Sequence, residues 1–113
     1  MASKKTWVIA IMFVIVFGSY AHANQAVARE ISQFRIAVEE LERLVNNIIN
    51  VGRNPMSHQH LNQLAAISTR MERSASNARS QNPTEQQRMQ INDLETRGNN
   101  AVQRLWNSGI RTP

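Results

Sequence analysis

Residues 27–48, VAREISQFRIAVEELERLVNNI, decide the fold of this chain. Within them Val27, Ile31, Phe34, Val38, Leu41, Val45 and Ile48 follow one another at spacings of 4, 3, 4, 3, 4 and 3. An α-helix brings residues three and four apart onto one face, so this alternation draws an unbroken apolar seam along a single helix. Ile31, Val38 and Val45 take one seam position; Val27, Phe34, Leu41 and Ile48 take the other. Leu44 and Ile49 widen the stripe beyond a narrow two-stranded contact, which suits a helix bundle. The seam is the candidate helix-contact surface. On the opposite face Arg35, Glu39 and Arg43 are spaced for pairs of opposite charge within the helix. Gly52 closes the segment, with Pro55 three residues on.

Working toward the C-terminus, the same periodicity returns twice. Ser57 is placed as an N-cap, with Met56 before it and Leu61 after it set for a hydrophobic staple. Leu61, Leu64, Ser68, Met71, Ala75 and Ala78 then continue the seam, with Ile67 alongside. The second half of this helix is small and polar, so it buries little surface. A third segment opens at Asn82-Pro83-Thr84-Glu85. Proline is tolerated in a first turn, and Thr84 with Gln87 fits a capping box. Ile91, Leu94, Gly98, Ala101 and Leu105 follow, with Val102 and Trp106 beside them. Gly98-Asn99-Asn100 is the weak point of that helix. The seam stays in phase across it, so the reading is one helix kinked at the glycine.

The pattern predicts an all-α fold: an antiparallel three-helix bundle with helices at about 25–51, 57–80 and 83–108 and a disordered tail over 109–113. The rival is a long helical hairpin that completes its core by dimerising. Short connectors favour the bundle.

Toward the N-terminus the chemistry changes. Lys4 and Lys5 precede an uncharged apolar run from Trp7 to Gly18, and Ala21-His22-Ala23 places small residues at the two positions a signal peptidase reads. This is the order of a secretory signal over residues 1–23, with cleavage expected after Ala23. The apolar run ends short of the roughly 20 residues a membrane helix needs. A retained N-terminal anchor is the alternative, and only then is a membrane expected as a partner. No cysteine follows the run, so a lipoprotein anchor is excluded.

Residues 24–113 make one small unit, a helical domain over 24–108 followed by the tail. They hold 11 arginines against 8 acidic residues, a net charge of +3, and no lysine or cysteine; asparagine and glutamine together number 21. Without cysteine there is no disulfide staple, thiol nucleophile or thiolate metal site. Clustered basic tracts are missing, so a nucleic-acid partner is not expected. Asn82-Pro83-Thr84 is the lone sequon-like triplet, and its proline disqualifies it as a glycosylation acceptor.

No residue set reads as catalytic, cofactor-binding or metal-binding. His58 and His60 stand two apart, and on a helix such residues do not face each other. Glu39, Glu40 and Glu42 are dense in carboxylate but lie opposite the seam among arginines, as a solvated helix face. The three glycines of the domain are isolated and form no phosphate loop. Thr84-Glu85-Gln86-Gln87-Arg88 is similar to the Thr-x-x-Gln core of the repeated motif in the Spy/CpxP group of small helical periplasmic chaperones. The similarity covers five residues, and Pro83 stands where that group has leucine. It implies a holdase that binds unfolded clients. The leading expectation is a secreted, non-enzymatic helical interaction or adaptor protein, extracellular or periplasmic, acting on a protein partner or on itself.

Overall fold

A computed structural model describes the backbone from Ser3 to Pro113 and the side chains from Gln25 onward. The signal reading of residues 1–23 and its cleavage point therefore lie outside the described side chains. Three helices make up the fold: α1 (Ser3–Val51), α2 (His58–Ser80) and α3 (Glu85–Asn107). They run up, down and up, and α1 packs against both of the others.

The seam of α1 is the core. All seven of its residues are buried, none exposing more than 4% of its surface. Ala37, flanking the Phe34–Leu41 row, is buried as well. Toward one end Val27, Ile31, Phe34 and Val38 meet Ala75 and Ala78 of α2 and Ile91 and Leu94 of α3. Toward the other, Leu41, Val45 and Ile48 meet Met56, Ile67, Ala101 and Leu105. Each fully buried Val, Leu, Ile or Phe contributes about 1.5–3 kcal/mol, so this strip outweighs every polar contact in the bundle. The small second half of α2 enters this core as alanine, with Ser74 buried beside it.

Both internal helices begin as their sequences dictate. The Ser57 hydroxyl accepts from the backbone N–H of His60. Thr84 and Gln87 form a full reciprocal capping box, each side chain accepting from the other's backbone N–H. Pro83 is buried just before that cap, so α3 starts at Glu85, two residues beyond the expected start. Helix α3 runs through Gly98 without interruption.

Two expectations are corrected. The chain after α3 is not a free tail. The backbone N–H of Met56 donates to Arg111 O at 2.9 Å, and that of Arg111 donates to Asn54 Oδ1 at 2.9 Å. Asn54 Nδ2 donates in turn to Gly109 O. One asparagine in the α1–α2 loop thus satisfies a donor and an acceptor of the irregular segment after α3, and Ile110 settles against the core. The second correction concerns charge. Read from the sequence as part of a solvated face, Glu40 and Glu42 instead bridge to Arg70 of α2 and Arg97 of α3, each at 2.5 Å. Arg79 of α2 pairs with Glu95 of α3. Among the described residues, every pair of helices is therefore joined by one ion pair.

Candidate binding cleft between the second and third helices

The seam predicted as a contact surface is occupied within the chain, its partners being α2 and α3. Attention passes to what the packing leaves open. Helices α2 and α3 each lie along α1 but barely touch one another. Their line of meeting is a groove with α1 as its floor.

Residue size explains the groove. Ser68 takes the seam position between Leu64 and Met71, and it is exposed. Opposite it, α3 presents Gly98 and Ala101. Besides the Arg79–Glu95 pair, the helices close where Met71 reaches over Gly98. On the side toward the α1–α2 loop, no large side chain fills the space, and an apolar cleft of about 190 Å³ remains. Leu41 forms its floor, Leu64 and Ser68 one wall, and Val102, Leu105 and Trp106 the other. Met56, Ile110 and Thr112 close its lower mouth, so the tail held by Asn54 becomes part of the site. A benzene ring enters an apolar cavity of about 150 Å³, so this space accommodates one bulky apolar side chain.

The wall of α3 is the unusual part. Trp106 exposes 70% of its surface and Val102 38%, on the edge of the cleft rather than inside it. A larger depression on the α1–α2 face is shallow and rimmed by Glu40, Arg43, Asn47 and Gln63. It offers no apolar anchor point comparable with Trp106. On the far side of the Met71–Gly98 contact the groove turns polar, with Glu72, Ser76 and the Arg79–Glu95 pair along it.

The ion pairs set the electrostatics. The Arg70 guanidinium, hydrogen-bonded to Glu40, holds that carboxyl below its ordinary value; burial opposes the effect, and the charges of Arg70 and Arg43 add to it. Arg79 does the same for Glu95. The arginine partners are raised in turn, Arg97 through its hydrogen bond to Glu42. These groups remain charged at neutral pH and act as fasteners, not as proton donors.

His58 and His60 lie at the start of α2, the first exposed and the second half-buried. Among the described residues no group of three or more His, Cys, Asp or Glu side chains converges as a metal site. Among them, too, no helix is long and apolar enough to cross a membrane. The sequence marked Trp106 as lying beside the seam. It did not reveal the cleft, because that depends on the tail folding back onto the loop; the one available signal was Ser68 interrupting a row of large apolar residues. No protein-family profile, curated protein or solved structure matches the chain.

Proposed function

We infer that this chain is a non-enzymatic, exported helical interaction module that meets a protein partner at the cleft edge formed by Val102 and Trp106. One observation carries the reading: a tryptophan 70% exposed on the wall of an apolar cleft. Tryptophan is among the residues that dominate binding energy at protein interfaces, and such anchors sit beside pockets that exclude water. Leaving it in solvent gains nothing for the fold. Export rests on the order of the N-terminal residues, a basic start, an apolar run and Ala21-His22-Ala23. The seam of α1 has no free face for a partner helix, so contact is assigned to the cleft instead.

A photo-crosslinking residue at position 102, compared with one at position 35 on the outer face of α1, tests this in the producing cell. A discrete protein adduct at 102 and none at 35 is the expected result. Equal labelling at both positions, or none at either, overturns it. The intact mass of the same preparation reads the export step: a chain beginning at Asn24 is expected, and one retaining Met1–Ala23 selects the anchored alternative.

A further inference from the structure

We propose that the cleft takes a bulky apolar side chain from an acidic peptide segment, whose carboxylates meet Arg53 and Arg111 at the lower mouth. The proposal rests on the interaction reading above and names the chemistry of the partner.

The charge distribution carries it. No acidic residue stands between Arg43 and Arg70, nor between Arg97 and Pro113. The half of the bundle holding the cleft is built from those two stretches, with α1 beneath them. Its arginines divide into two kinds. Arg70 and Arg97 are neutralised by Glu40 and Glu42. Arg53, Arg104 and Arg111 are exposed, and among the described residues no carboxylate pairs with any of the three; Arg104 lies on α3, Arg53 and Arg111 on the loop and the tail. Arg111 lies between Ile110 and Thr112, both of which line the cleft. Arg53 neighbours Asn54, whose side chain is bonded to Arg111 and Gly109. Two free guanidinium groups are thus set on the paired segments that close the mouth of an uncharged, apolar space. Arginine forms charge-assisted, often bidentate bonds with carboxylates, so the complement of this site is an apolar anchor flanked by acids.

The same features disfavour the other occupants. Two copies meeting at this end would bring like charges together. A bilayer surface requires a broad apolar face, whereas the opening here is a recess the size of one side chain, with Val102 and Trp106 at its edge.

The experiment measures anisotropy of a short dye-labelled peptide, one Phe among Asp and Glu residues, titrated with the full chain. Control peptides replace the Phe by Ala or the acids by Lys, and phosphatidylglycerol vesicles form a separate arm. Saturable binding of the acidic Phe peptide is expected, weakened about tenfold or more by Trp106→Ala or by Phe→Ala in the peptide. The double variant Arg53→Gln/Arg111→Gln should weaken binding and flatten its salt dependence. Trp106, Arg53 and Arg111 are all exposed, so these changes spare the core, and helical circular dichroism verifies that. Equal binding of the Ala and Phe peptides, indifference to Trp106→Ala, preference for the Lys peptide, or a Trp106-dependent response to vesicles alone would each overturn the proposal. If no peptide binds while crosslinking at position 102 still gives a discrete adduct, this inference falls and the interaction reading stands. Loss of both removes both.

Discussion

Gly98 of α3 lies so close beneath Met71 of α2 that a Cβ built on the glycine would stand 2.7 Å from Met71 Cε. Here the two helices close over α1 between the polar end of their groove, where Arg79 pairs with Glu95, and the apolar cleft. Two effects of opposite sign meet there. A helix-interior glycine costs about 1 kcal/mol relative to alanine. Against that, a methyl group must displace the end of a flexible, half-buried thioether, which yields easily.

For Gly98→Ala the two effects nearly cancel, and stability within about 1 kcal/mol of the native chain is expected by urea denaturation. Gly98→Leu has no such balance. Its side chain would force α2 and α3 apart, with a loss of about 1–3 kcal/mol. A leucine variant as stable as the native protein would show that the helices are not held at this contact.

Acid should loosen the bundle by discharging its ion pairs. Glu40 and Glu95 are held below their ordinary value of 4.5 by Arg70 and Arg79. A carboxyl depressed in the folded state contributes stability that is present above the unfolded value and is lost as pH falls through the folded one. Both pairs are partly solvated, with side-chain exposures of 34–45%. Each pair therefore contributes only about 0.2–1 kcal/mol. The double variant Glu40→Gln/Glu95→Gln should be less stable than the native chain at neutral pH, and the gap should close as pH drops below 4.5. Molar salt should close it as well. A gap that persists in acid would assign the loss to packing.

The two caps differ in a way that substitution will expose. Ser57 offers one acceptor to one amide, whereas Thr84 belongs to a reciprocal box with Gln87. Replacing a cap hydroxyl by alanine costs about 1 kcal/mol. Thr84→Ala should cost more than Ser57→Ala, because the box loses its geometry along with one bond. Equal losses in thermal melts would show that the Gln87 half of the box adds nothing.

How far the sequence could be read depended on the range over which each feature is determined. The α1 seam, the Ser57 cap and the Thr84–Gln87 box are local patterns, set by residues within a turn or two of each other, and they were legible. Gly98 needed tertiary context: propensity marked it as a weak point, while packing under Met71 gives it a place in a continuous helix. Glu40 and Glu42 read as a solvated face because no helical spacing points to their partners. The partners chosen, Arg70 and Arg97, stand 30 and 55 residues away. The cleft was the least legible, since it requires that the last residues of the chain return to residues 54–56.

That return gives the last prediction. The Asn54 side chain accepts from the Arg111 N–H and donates to Gly109 O, while Met56 N–H donates to Arg111 O. Exposed hydrogen bonds sit at the weak end of the range, so Asn54→Ala should cost only about 1 kcal/mol globally. Locally the effect should be larger. With both side-chain bonds gone, one backbone bond and the packing of Ile110 remain to hold the tail. Amide exchange at Met56 and Arg111 should accelerate well beyond that of core amides such as Leu41, because these bonds open locally without unfolding the bundle. Peptide binding at the cleft should weaken in the same variant, since Ile110, Thr112 and Arg111 lose their fixed position at its mouth. Exchange at Arg111 as slow as in the native chain would show that the tail is held by its apolar contacts and that the asparagine is incidental.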